Sequence, residues 1–161
     1  MYKRQVPIGT SNVDTFRQYF STIFNDFHLF DQFYGLETVT EDQVRALQRR
    51  FMLDEKTLFH DHHFSTLDLS TGQRKRLALL TAMLEDRPIL ILDEVSADQD
   101  PEFRRFYYEE LLAELKSQGR TVLVVSHDDR YFHVADRVLY MDYGRLDSTP
   151  GLEAGTVVAG A

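Results

Sequence analysis

Four consecutive apolar residues, Ile89-Leu90-Ile91-Leu92, run straight into two carboxylates, Asp93 and Glu94. A run this short, opened by Pro88 and closed by charge, has the length of a strand, and its unbroken apolarity means both faces are covered. A second run, Val122 to Val125 within Thr121 to Ser126, has the same character. Between them lies a helical pattern. Asp100-Pro101-Glu102 supplies an N-cap acid and a proline at the first helical position, Phe103, Phe106, Tyr107 and Leu111 keep the 3.6-residue period, and Gly119 is placed to end it. Covered strands joined through a helix build a parallel sheet, so the expected class is α/β.

The flanking sequence adds elements to this core. Residues 12 to 20 read as a short amphipathic helix or turn, Ser21 to Phe24 as a strand, and Asn25 to Phe30 as a loop. Thr40 and Gln43 have capping-box spacing, with Val44, Leu47 and Phe51 following at helical spacing. Residues 36 to 68 therefore read as a mostly helical, polar insert. Gly72 to Glu85 form a helix with Leu77, Leu80 and Leu84 on one face, widened by Leu79 and Met83. Asp129 to Ala135 read as a short helix, and Val138 to Met141 with Arg145-Leu146 flank a hairpin turn at Asp142-Tyr143-Gly144. The expected division is a main unit over 1–148, with its helical part at about 36–86, and a flexible tail over 149–161, where glycine, alanine and threonine leave little to pack.

Composition narrows the function. There is no cysteine among the 161 residues, which excludes disulfides and thiolate metal sites. Net charge is −8, and the locally basic stretches, Arg49-Arg50 and Arg74-Lys75-Arg76, fall in helical patterns where a solvated face is expected. A nucleic-acid partner is not expected from this balance. No apolar run approaches the ~20 residues needed to cross a bilayer.

Three short motifs carry chemistry. Leu69-Ser70-Thr71-Gly72-Gln73 opens a helix, where unpaired N–H groups and the helix dipole favour an anion; Ser70 offers a hydroxyl and Gly72 a close backbone approach. The same residues also suit an ordinary N-cap. Asp93 and Glu94 sit side by side at a strand end, where mutual repulsion and desolvation are relieved by a nearby cation; a solvated strand end remains the plain alternative. His127 follows the second strand, 33 residues after Glu94. His60-Asp61-His62-His63 has metal-ligand residue types, but adjacent His62 and His63 point apart in regular structure, so a polar turn is the better reading.

In their order, spacing and context these motifs resemble the second half of an ATP-binding-cassette (ABC) ATPase domain. Leu69 to Leu80, Asp93 to Phe103, Ser126 to Arg137 and Phe24 to Asp31 are similar to the cyclic-peptide and siderophore exporter branch, and the resemblance covers most of residues 12 to 147. It implies a P-loop NTPase-like sheet with a helical subdomain, and ATP and Mg2+ as ligands. The implied site has Asp93 on magnesium through water, Glu94 as the base acting on the attacking water and His127 on the γ-phosphate. Ser70, Thr71, Gly72 and Gln73 would form the signature motif, and Asp100 the D-loop aspartate. Asn25 stands where the family carries the Q-loop glutamine, with the same amide one methylene shorter.

The resemblance also marks a gap. A P-loop reads G-x-x-x-x-G-K-[ST], and no glycine here is followed by lysine; Gly155 and Gly160 have the spacing, but Ala161 follows. The chain is therefore expected to be a C-terminal piece of a longer protein, with the N-terminal part of the domain missing. The implied partners are a second nucleotide-binding domain, in a homodimer, and a membrane domain outside this chain. The implied location is the cytoplasmic face of the inner membrane, and the implied activity is ATP-driven export of a small cyclic peptide or siderophore. A soluble, non-transport ABC ATPase and a non-catalytic module are the alternatives.

Overall fold

Pro101 at the first turn of one helix and Pro88 before one strand set the boundaries of the central layer in the computed structural model, which describes residues 6–36, 38–147 and 157–160. The described elements are α1 (Val13–Arg17), β1 (Phe20–Ile23), α2 (Glu41–Arg50), β2 (Phe59–His60), β3 (His63–Phe64), α3 (Thr71–Leu84) and β4 (Ile89–Asp93). There follow α4 (Pro101–Arg105), a π-helical stretch (Phe106–Leu111) running into α5 (Leu112–Ser117), β5 (Thr121–Val125), a 3-10 turn (Asp129–Val134), β6 (Val138–Asp142), β7 (Arg145–Asp147) and β8 (Val157–Gly160).

The two apolar runs pair as expected. β4 is the centre of a parallel sheet in the order β1-β4-β5, with Leu92 beside Ile23 and Val124. Leu90 and Leu92 are fully buried. Parallel pairing brings the C-terminal ends of all three strands to one edge, which is where ligands bind in open α/β sheets. α3 packs beside β1, and α5 beside β5.

α3 begins at a complete capping box, with Ser70 Oγ accepting from the Gln73 N–H at 3.3 Å and Gln73 Oε1 accepting from the Ser70 N–H at 3.0 Å. Leu77, Leu79 and Leu80 are all fully buried, so this helix runs through the interior. Expectation and structure part company at its basic triplet. Arg74 is exposed, but Lys75 and Arg76 are buried, not on a solvated face. The reason is position: 72, 75, 76, 79 and 80 follow the i, i+3, i+4, i+7, i+8 face, so these two cations share the side of Leu79 and Leu80.

The insert differs as well. Only Glu41–Arg50 is α-helical between residues 38 and 68, capped as expected by Thr40 and Gln43. The remainder includes a two-strand hairpin in which Phe59 faces Phe64 across the register, and Phe33 joins both rings. Its turn is Asp61-His62, both left-handed (φ 51° and 65°), so the histidine cluster is a polar turn, and among the described residues no group of three or more ligating side chains could hold a metal. Phe51, at the end of α2, packs edge-on against Phe103 and Phe106 and ties this insert to α4.

β6 and β7 form the expected hairpin around Tyr143-Gly144, and β8 pairs parallel with β6 and lies close to β5. A flexible tail was expected over 149–161. Val157–Gly160 instead lie in a strand, favoured by the β-branched pair Val157-Val158, while 148–156 and Ala161 lie outside the described residues. No helix among the described residues is long and apolar enough to cross a membrane.

Candidate functional site

β4 and β5 end next to one another, and each carries a candidate residue just past its end. Asp93 closes β4 opposite Val125, and the Glu94 N–H donates to the Val125 carbonyl at 3.0 Å. The chain then turns sharply: Glu94 is left-handed, with φ 52°. That conformation costs on the order of 1–3 kcal/mol for a non-glycine residue and persists only where surrounding contacts enforce it. The turn sends the Glu94 carboxylate toward β5, where Oε1 lies 3.0 Å from His127 Nδ1. The other oxygen, Oε2, is buried and has no hydrogen-bond partner among the described residues. A buried carboxylate oxygen without a hydrogen-bond partner is a costly arrangement.

Asp93 is half-buried, and its Oδ2 accepts a long bond of 3.4 Å from the Asn25 N–H, just after β1. Asn25, Asp93, Glu94 and His127 are thus brought together at one sheet edge. His127 is exposed, with 73% of its side chain accessible, and is free to meet a ligand arriving from outside. Its neighbour Asp128 is held below the usual carboxylate range, first by the Arg130 hydrogen bonds and then by the nearby Arg130, Arg104 and His127 charges, against an opposing effect of burial. Asp93 and Glu94 are a donor set for a hard divalent cation, although two carboxylates alone leave most of its coordination to water and phosphate.

The turn after β4 and the end of β5 are fastened to one another by a buried hydroxyl chain. Tyr108 Oη lies 2.8 Å from Ser96 Oγ and 2.6 Å from Ser126 Oγ, and Ser126 Oγ accepts from the Asp128 N–H at 3.0 Å. Burial pushes the Tyr108 phenol up, so it stays protonated and able to donate. The ring stacks on Tyr131 with centroids 4.3 Å apart. Nothing in the sequence pattern singled out this triad.

The helix-start motif lies elsewhere on the same chain. Ser70 and Thr71 are exposed at the beginning of α3, while Gln73 is spent on the capping box. Gly72 is buried, and a Cβ there would lie 2.5 Å from the Asp98 carbonyl oxygen. It allows α3 to approach the turn after Glu94 closely. Gln99 completes the contact, with Nε2 donating to the Gly72 carbonyl at 3.0 Å and Oε1 accepting from Arg76 Nε at 2.8 Å. Asp100 caps α4 by accepting from the Phe103 N–H at 2.9 Å, and it is ion-paired with Arg76. The Phe103 bond first, and then Arg76, hold its carboxyl below the usual range. Arg76 also lies 4.1 Å over the Phe103 ring. Lys75, Arg76 and Gln99 escaped the sequence reading, and the available signal was the shared helix face of 72, 75, 76, 79 and 80.

The ABC transporter family model matches residues 3–97, more than half of the chain. Over 137 residues (83% of this chain) it is 47% identical to the ATP-binding protein SyrD of Pseudomonas syringae pv. syringae, covering 24% of that protein. It is 47% identical over 90 residues to the ATP-dependent lipid A-core flippase of Xylella fastidiosa (56% of this chain, 14% of the flippase) and 34% identical over 143 residues to that of Ralstonia nicotianae (83% and 23%). The chain thus spans about a quarter or less of these relatives. With a parallel α/β sheet, adjacent acids at a strand tip, a capped helix-start motif and a family match over most of these elements, the chain belongs to the ABC transporter family.

Proposed function

We propose that this chain is part of an ATP-hydrolysing nucleotide-binding domain that drives export across a membrane, working on the cytoplasmic face of the inner membrane with a membrane domain and a second nucleotide-binding domain. The observation that carries the reading is the 3.0 Å contact between Glu94 and His127 at the ends of neighbouring parallel strands, with Asp93 beside them. Glu94 takes the proton of the attacking water, and His127, which approaches its Oε1, holds the carboxylate in place and faces the terminal phosphate. Asp93 is the residue to hold Mg2+, through water; magnesium, when bound, offsets phosphate charge. Asn25, whose backbone reaches Asp93, stands beside it.

The exposed start of α3, with Ser70 and Thr71, is the face offered to the phosphates held by the second domain. Gly72 and Gln73 shape that helix start, and Asp100 anchors the loop beside it. In this arrangement one chain serves two nucleotides, so a homodimer is the simplest assembly. A small cyclic peptide or siderophore is the proposed cargo class. Support comes from the exporter-like stretches Leu69–Leu80, Asp93–Phe103 and Ser126–Arg137.

The test uses the intact transporter. Glu94→Gln preserves shape but cannot accept the proton, so turnover should fall by about 10²-fold or more while ATP-induced dimerisation persists. Unchanged ATPase activity would remove Glu94 from the base role.

A further inference from the structure

Lys75 is the most deeply buried charge outside the site among the described residues, with 3% of its side chain accessible. Such burial of an ammonium group is expensive unless it is paired and hydrogen-bonded. Its Nζ donates to the backbone carbonyl of Glu94 at 2.8 Å and to Asp98 Oδ2 at 3.3 Å. Both partners are left-handed residues, with φ 52° at Glu94 and 61° at Asp98, and they stand at the two ends of one tight turn. The Glu94 carbonyl also accepts from the Ala97 N–H at 3.2 Å. Lys75 therefore clamps the peptide unit that aims the Glu94 side chain at His127.

The clamp is rooted in the helix that begins with Ser70. One turn separates the exposed start of α3 from Lys75, and the same helix face meets the turn at two more points: Gly72 against the Asp98 carbonyl, and Arg76 with Gln99 and Asp100. A displacement of the helix start is passed to the Glu94 backbone by rigid contacts rather than through solvent. We propose that Lys75 is a positioning residue for Glu94, fixing the carboxylate for the water-activating step and tying it mechanically to the phosphate-facing helix start. This rests on the functional reading given above.

Substitution in the intact transporter tests it, with Glu94→Gln alongside. Lys75→Met keeps the length of the chain and removes the donor. The expected result is a fall in kcat of about tenfold or more, as a misplaced catalytic group produces, with KM for ATP within about twofold because Lys75 reaches no phosphate. Lys75→Arg, which retains a charged donor, should recover most of the lost kcat. Should Lys75→Met not fold, Lys75→Gln takes its place: its shorter amide remains polar in the buried pocket but falls short of the Glu94 carbonyl, and the same loss is expected. A folded neutral variant with wild-type kcat, a loss carried by KM, or no recovery with arginine overturns the assignment. Wild-type turnover in Glu94→Gln instead overturns the functional reading itself, so the two failures are distinguishable.

Discussion

Gly72→Ala is the substitution whose cost the structure defines most directly. The added methyl would sit 2.5 Å from the Asp98 carbonyl oxygen, 3.3 Å from Gln99 Oε1 and 3.4 Å from the Asp98 carbonyl carbon. The nearest atom is backbone, not the end of a flexible chain. It cannot yield easily, because Asp98 is left-handed and the turn is bonded to Lys75 at both ends. Overpacking of this kind costs typically about 1–3 kcal/mol. Alanine returns up to about 1 kcal/mol of helix propensity in a helix interior, and less in the first turn. The net is a destabilisation of about 1–2 kcal/mol, which for a chain of this size lowers Tm by about 3–6 °C. Thermal melts of the 161-residue chain followed by circular dichroism read this directly. Thr71→Ala, at the exposed neighbouring position, is the control and should stay within about 0.5 kcal/mol of the parent. A Gly72→Ala protein that melts at or above the wild-type temperature would refute the claim that close packing against Asp98 is what requires glycine.

Tyr108→Phe keeps the stacked ring but unlinks Ser96 from Ser126; a loss of about 1–2 kcal/mol is expected in urea titrations, and a neutral effect would show the hydroxyl chain to be dispensable. Asp100 is held below its ordinary pKa, so its charge stabilises the fold above the unfolded value near ~3.9 and ceases to do so as pH falls through the lower folded value. Asp100→Asn retains a capping side chain, so its stability deficit should be present at pH 6 and close in acid; a deficit independent of pH would remove the Arg76 ion pair as its source. The 161-residue chain by itself should hydrolyse ATP negligibly, since its sequence contains no phosphate-cradling loop and electrostatic positioning carries most of the rate; robust turnover by the purified chain would contradict this.

The parts of the fold that were legible in the sequence are those where one local signal decides the outcome. Pro88 and four apolar residues suffice for β4, and Ser70 with Gln73 or Thr40 with Gln43 suffices for a helix start, because both capping partners lie within one turn. Asp93, Glu94 and His127 could be nominated because they follow such elements directly. The strands flanking the polar turn at Asp61-His62 are hidden in the sequence because each is two residues long and the left-handed turn contains no glycine. The burial of Lys75 and Arg76 was hidden because charge in a helix ordinarily marks solvent, and only the distant partners Glu94, Asp98, Gln99 and Asp100 reverse that rule.

The π-helical stretch has a consequence for the register of everything that follows it. Phe103 and Leu115 are both buried, yet on an unbroken α-helix they would lie about 120° apart around the axis. Phe106–Leu111 absorb about one additional residue, which returns the two side chains to within about 20° of each other. Winding that stretch as regular α-helix with every residue kept would swing either its beginning or its end away from the interior, whereas deleting one residue from it would make the helix regular and leave both ends facing the core.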